Sequence, residues 1–351
     1  MILEQEPMKK LVVAILFARI VLPAAGFGAE AQRPRLLGLS QAVVRCHDLN
    51  ACRHFYHDLL GFDEAFAIRK DQTAVVTSGL SADQVSAVFF KVNIRQYIVV
   101  MPETTPNEPR FVRYAVETDN AEAMRLFLKS LGYHVPPKVT KTPTYDLAFD
   151  VDDPDGMTIE VVQYTPESLS VKNAERFLSP NRLSARMLHV GFTITKPETA
   201  KFYQQGFSVR EFWRSDRSMH APARANGPAQ NNRANQSQSR PEVATGPLLA
   251  TLSNLKMPEG DDYIEWSFSR QPAAARRGGH IALLTPDMAK TVAAIEARPA
   301  FKGYTRQHEA HVGINHKWQG NFFDPDGTRT EFMELDTADG MPSPMSHAPW
   351  F

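Results

Sequence analysis

The chain has 351 residues, with 39 lysines and arginines against 39 aspartates and glutamates, so its formal net charge is zero. That balance excludes the basic footprint of a nucleic-acid binder, and a hydrophobic content of 43% is that of an ordinary globular protein. The length suffices for two domains, each burying its own core.

Residues 1–31 read as a targeting segment. From Met8, "MKKLVVAILFARIVLPAAGFGAEAQ" sets Lys9 and Lys10 before an apolar run and small residues after it, the layout of a secretory signal peptide. Arg19 interrupts the apolar run and argues against a membrane anchor, which needs about 20 apolar residues. Ala29-Glu30-Ala31 suits cleavage. The expectation is an exported protein, periplasmic or extracellular, with no stable membrane insertion after processing. Cys46 and Cys52 are the only cysteines. Two do not make a disulfide scaffold; they read as small buried thiols, although an oxidising compartment would let them pair.

From Leu37, "LGLSQAVVRCHDL" alternates as a strand does, and "NACRHFYHDLLGF" then carries Cys52, Phe55, Tyr56, Leu59 and Leu60 at helical spacing before Gly61. The β-rich runs "DEAFAIR", "TAVVTSG", "VSAVFFKV" and "QYIVVM" follow. The order returns from Phe111: strand "FVRYAVETD", helix "NAEAMRLFLKSLGY", then "HVPPKVT" and a hairpin whose arms flank Asp153-Pro154-Asp155-Gly156. A third copy opens at "RMLHVGFTIT", with the helix "PETAKFYQQGF". A fourth opens at "GGHIALLTPDM" and closes on "GNFFDPDGTRTEF". Residues 215–247 break the third copy with a Pro-, Asn-, Gln- and Ser-rich stretch too polar to bury a core, which predicts a disordered insertion. Residues 338–351 predict a Pro-rich tail over the surface.

Four βαβββ copies, three helices ending in "LLGF", "SLGY" and "QQGF", and two Asp-Pro-Asp-Gly-x-x-x-Glu hairpins resemble the vicinal oxygen chelate superfamily, the glyoxalase, bleomycin-resistance and extradiol-dioxygenase group. The resemblance covers residues 36 to 336 apart from the insertion. It implies an α+β fold with the modules paired into two domains, 36–166 and 184–337, each a half-open mixed sheet around a cavity. It also implies metal ligands on the first and last strands of each copy. In the second domain those positions hold His189, Glu265, His280 and Glu331. In the first they hold Gln41, then Val99 or a neighbour, then Val112 or Arg113, and only Glu160 is ligand-competent. The expectation is one divalent first-row ion (Zn, Ni, Co, Fe or Mn) in the second domain and none in the first. Mixed imidazole and carboxylate ligands suit such an ion, and the runs "DYIEWSF" and "TEFMEL" would bury carboxylates that need a partner.

If Asp324 to Gly327 is the last hairpin's turn, Phe322 faces Arg329 and Gly320 faces Glu331. Alternation then puts His316, Trp318, Gly320 and Phe322 on the cavity face with Arg329 and Glu331. On that register His316 is a candidate acid or base, and Trp318, Phe322 and Arg329 are candidate substrate contacts. The resemblance implies glyoxalase-like chemistry (isomerase, lyase or epimerase) on a small molecule chelated through two adjacent oxygens, with Glu265 or Glu331 as base. The alternatives are an extradiol-dioxygenase-like iron enzyme, against which Glu265 and the absence of a Tyr in "NFF" count, and a non-catalytic binding protein. A homodimer is left open.

Overall fold

The computed structural model describes residues 32–76, 79–220, 248–275 and 278–350. The targeting segment and most of the insertion, 221–247, lie outside the described residues. In chain order the elements are β1 (Leu36–Cys46), α1 (Leu49–Arg53), β2 (Glu64–Arg69), β3 (Ala74–Val75), β4 (Val85–Lys91), β5 (Tyr97–Pro102), β6 (Phe111–Thr118), α2 (Ala121–Ser130), β7 (Thr140–Lys141), β8 (Leu147–Asp152), β9 (Thr158–Gln163) and α3 (Leu169–Lys172). The second half repeats the order with β10 (Met187–Ile194), α4 (Pro197–Gly206), β11 (Arg210–Asp216), β12 (Ala250–Lys256), β13 (Tyr263–Phe268), β14 (His280–Leu284), α5 (Met288–Glu296), β15 (Ala310–Val312), β16 (Lys317–Phe323) and β17 (Arg329–Thr337).

The helices start where side chains capture free backbone N–H groups. Asp48, Asn120 and Asp287 cap α1, α2 and α5 in this way, and Pro197 opens α4. Two mixed sheets result, ordered β3-β2-β4-β5-β1-β6-β9-β8-β7 and β11-β12-β13-β10-β14-β17-β16-β15. In each, a central strand pairs in parallel with one neighbour and antiparallel with the other: β1 with β5 and β6, β10 with β13 and β14. This is the expected α+β architecture of two curled half-barrel sheets. One apolar core runs through both halves, joining Val44, Tyr56 and Tyr114 of the first to Phe192, Trp266 and Phe332 of the second.

Two local expectations are corrected. Cys46 and Cys52 are bonded as a disulfide, not free thiols. β1 ends at Cys46, the Asp48 turn reverses the chain, and α1 returns Cys52 with the two Cα atoms 6.5 Å apart, within disulfide reach. Helix α4 ends on the glycine of "QQGF", as expected. Gly206 is its last residue, and a Cβ there would meet the Leu128 side chain of α2, so the glycine serves helix packing. Ser215 and Asp216, placed in the insertion by composition, are buried at the end of β11.

The repeated Asp-Pro-Asp-Gly phrase joins the halves reciprocally. Asp153 accepts a hydrogen bond from the Tyr203 hydroxyl of α4 at 3.0 Å, and Asp324 accepts one from Tyr56, in the turn continuing α1, at 3.1 Å. The second aspartate of each phrase also reaches across: Asp155 accepts from Thr195 N and Oγ1 and from Thr199 Oγ1, and Asp326 from His47 N. A third tie is Asp262, which accepts from Leu39 N and Gln96 Nε2 and pairs with Arg186. A Cβ on Gly38, whose φ is +135°, would collide with that carboxylate, so the approach requires glycine.

Burial pushes the carboxyls of Asp153, Asp262 and Asp324 each up to about 6. Between about pH 4 and pH 6 the folded chain therefore holds protons that the unfolded chain has lost. Stability from these groups is full below pH 4 and falls as pH rises through 6. The Asp153→Asn, Asp324→Asn double variant removes two of the three. From pH 4.5 to 7, wild type should lose about 2–5 kcal/mol of unfolding free energy relative to it in denaturant titrations. Parallel pH profiles would refute the assignment.

Candidate metal centre

β10, β13, β14 and β17 carry the site on the concave face of the second sheet. Register sets it: His189 lies beside Tyr263, Gly191 beside Glu265, His280 beside Arg329 and Ala282 beside Glu331. The Nε2 atoms of His189 and His280 are 3.1 Å apart. Glu331 Oε2 lies 3.6 and 3.5 Å from them, and the Glu265 carboxylate 4.0 and 3.5 Å. Ligands about 2.0–2.2 Å from one ion stand roughly 3–3.5 Å from each other when adjacent, so these spacings fit a shared cation.

The chemistry of the donors makes the same point. His280 Nδ1 lies 3.0 Å from the Gly278 carbonyl, which accepts its proton and leaves Nε2 with a lone pair toward the centre. Burial, and then the Arg329 charge, push both imidazoles well below their ordinary range, so both are neutral. Burial raises both carboxyls; the neighbouring Glu331 charge raises Glu265 further, while Arg329 opposes the rise at Glu331 from 3.9 Å. His189, His280 and Glu265 gather as a candidate ligand set, with Glu331 beside both imidazoles, an arrangement that suits a divalent cation. Gly191 leaves the space: a Cβ there would overlap the His280 ring.

All four expected ligands are thus brought together, with Arg329 beside them. His316, Trp318 and Phe322 are not. The loop between β16 and β17 has five residues, because Asp324 Oδ1 accepts from Thr328 N and Asp324 N donates to Thr328 O. The pairing is Phe323 with Arg329, Phe322 with Thr330 and Asn321 with Glu331, one residue from the expected register. Phe322 therefore packs edge-on against Phe332 in the shared core. A Cβ on Gly320 would meet Met288 of α5. Trp318 is exposed, and His316 sits in the preceding turn, 3.1 Å from Asp339.

The residues missed are Asn321, opposite Glu331, and Asn254, opposite Glu265. Each keeps a buried side-chain oxygen without a hydrogen-bond partner. Tyr263 stacks 4.5 Å from the His189 ring, and alternation in "DYIEWSF" could have placed it on the face of Glu265. A cavity of about 520 Å3 adjoins the site, bounded by Asn254, Tyr263, Phe212 and Lys317. The tail forms part of its wall through Ser343 and Met345. It runs from the Asn315 carbonyl, which Ser343 Oγ contacts, to β11, where Ser346 binds Arg214 O and Asp216 and Trp213 Nε1 binds Pro344 O.

The first sheet carries an ion pair at the matching positions. Gln41 lies beside Tyr97, Val43 beside Val99, Arg113 beside Thr158 and Ala115 beside Glu160, the same registers as in the second sheet. Arg113 thus takes the place of His280, and its Nη2 lies 3.3 Å from Glu160. Arg113→Met should cost about 3 kcal/mol by leaving Glu160 buried and unpaired, and adding Glu160→Met should restore most of that. Equal losses in the single and double variants, measured by urea unfolding, would contradict the pairing. In the second half, Gly191→Ala should lower metal content at least tenfold with circular dichroism unchanged; full occupancy would count against His280 as ligand.

Residues 38–161 match the family model of the Glyoxalase/Bleomycin resistance protein/Dioxygenase superfamily. Among curated proteins none matches the chain. Among solved structures it is similar to a Mn(II)-bound glyoxalase from Novosphingobium aromaticivorans (16% identity, TM-score 0.56, covering 86% of this chain and 83% of that one). It is also similar to an extradiol ring-cleaving dioxygenase from B. fuscum (15%, 0.57, 91% and 77%) and to the 2,3-dioxygenase LapB from a Pseudomonas species (13%, 0.57, 89% and 97%). At these identities the structures speak for the fold. Residues 38–161 thus carry the family signature, and the paired half-barrel sheets give the chain the fold of these glyoxalase and dioxygenase structures.

Proposed function

We propose that the second half is the catalytic centre of a metal-dependent enzyme of the glyoxalase-like kind, moving a proton beside a carbonyl in a small substrate with two adjacent oxygens. The gathering of Glu265 and Glu331 within 3.5–4.0 Å of the paired His189 and His280 imidazoles carries this reading. A bound divalent ion supplies a Lewis acid for the two substrate oxygens. His189, His280 and Glu331 hold the ion's place. The Glu265 side chain is 16% exposed against 5% for Glu331, so its carboxylate is the more accessible one to take and return a substrate proton. The free side-chain oxygens of Asn254 and Asn321 accept from a substrate hydroxyl and orient it. Arg329 offsets the charge gathered around Glu331.

The four-donor set separates this reading from ring-cleaving dioxygenation, which the superfamily resemblance ties to two imidazoles and one carboxylate. Export from the cytoplasm belongs to the same proposal, supported by the N-terminal pattern and by the Cys46–Cys52 bond, which persists in oxidising compartments.

The test uses protein loaded in turn with Mn, Fe, Co, Ni and Zn. Exchange of the hydrogens beside the carbonyl of hydroxyacetone with deuterated solvent is followed by NMR. Exchange above the free-metal rate is expected, falling about 10²–10⁴-fold in Glu265→Gln. Absence of exchange with every metal, together with oxygen uptake on catechol by the iron form, would replace this reading with the dioxygenase.

A further inference from the structure

The wall of the cavity beyond the metal ligands is rich in donors and poor in acceptors. Lys317 lines it from β16, on the same face as Gln319 and Asn321. No carboxylate among the described residues lies within 4.0 Å of its ammonium group, whereas the other lysine there, Lys256, is paired with Asp261 at 3.4 Å. Asn315 is buried, and its Oδ1 is committed to Lys317 N and Gln319 Nε2. Its amide nitrogen is left with the Met333 sulfur at 3.6 Å, and Gln319 Nε2 approaches the same sulfur at 3.4 Å. A thioether is a weak acceptor for two amide donors. Burial also pulls the Lys317 pKa down, with Asp336 opposing.

We propose that Lys317 and Asn315 form a subsite for a carboxylate carried by the substrate at the end remote from its two chelating oxygens. This deepens the function proposed above and rests on it. Lys317 lies four residues along β16 from Asn321, roughly 13 Å of strand. Since a lysine side chain can lean back toward the ion, the carboxylate stands roughly 7–13 Å from the chelated oxygens. Phe212, Tyr263 and Leu188 line the intervening cavity, so the body between the two ends is apolar. The substrate class is therefore an elongated acid with vicinal oxygens at one end.

The probes are catechol, 3,4-dihydroxybenzoate and 3-(3,4-dihydroxyphenyl)propanoate, titrated by calorimetry into the metal-loaded full chain. Wild type should bind the propanoate at least tenfold tighter than catechol, with the benzoate between them. Lys317→Met should bring the propanoate within threefold of catechol, and Lys317→Arg should keep the preference. Equal melting temperatures for the variants exclude a folding defect. No preference in wild type, or a preference that survives Lys317→Met, overturns the subsite. If none of the three binds, chelation at the metal fails with the proposed function, and benzenesulfonate, which offers no vicinal pair of chelating oxygens, decides the subsite alone. Binding that is lost in Lys317→Met retains the subsite, and binding that is absent or unchanged removes it.

Discussion

Two carboxylates cannot be buried beside two neutral imidazoles without positive charge between them. Taking an ionised carboxylate out of water costs several kcal/mol even after the protein relaxes. The second sheet gathers Glu265 and Glu331 against His189 and His280, and Arg329, 3.9 Å from one carboxylate, is the nearby cation the fold supplies. A divalent ion would complete the balance. The first sheet keeps one carboxylate, Glu160, at the position matching Glu331, and a single guanidinium on β6 answers it. One backbone register thus accommodates two solutions: where Arg113 stands in place of the second imidazole, the charge is settled within the chain.

The hairpins connect this electrostatic constraint to the joint between the halves. Glu331 and Glu160 follow their latching aspartates on the same strand-turn-strand units. Asp324 fixes the loop at five residues through Thr328 and is itself held by Tyr56 of the other half. The docking of the first half therefore bears on which residues of β16 face Glu331. Burial that raises the carboxyls of Asp153 and Asp324 to about 6 is tolerated because each accepts backbone N–H groups as well as a tyrosine hydroxyl. The pairing of the halves and the placement of residues opposite Glu331 are two consequences of the same four-residue phrase.

Much of this was legible before the structure. The meeting of His189, Glu265, His280 and Glu331 on one sheet face and the alternation of modules followed from where His and Glu recur in strand-forming runs. His316, Trp318 and Phe322 were misplaced because loop length is set by a side-chain contact, the capture of Thr328 N by Asp324, and a one-residue shift sends every side chain on β16 to the other face. The choice between Val112 and Arg113 resolved for the same reason, once β6 paired with β9 and set Arg113 beside Thr158. The disulfide depended on how tightly the Asp48 turn folds back, which composition does not encode. Asn254 and Asn321 carry no motif; they matter only because they stand opposite the two glutamates.

Each half covers one face of its sheet with the chain that leaves its last strand, and the two covers differ. After β9, Leu169 N binds Thr144 O, and Lys91 donates to the carbonyls of Asn173, Ala174 and Arg176. Leu169 then packs with Phe66, Phe89, Tyr97 and Val99 into a filled apolar cluster. After β17, the tail is instead pinned to distant edges, by Ser343 near β16 and by Ser346 and Pro344 at β11, and passes over the sheet between them. Only Ser343 and Met345 of the tail line the space beneath, and a cavity of about 520 Å3 remains beside the ligands. Apolar filling suits a sheet whose charge is already balanced by Arg113. A strap held at its ends suits one whose cation must still be reached by the substrate, and it confines access to an elongated space with Lys317 in its wall.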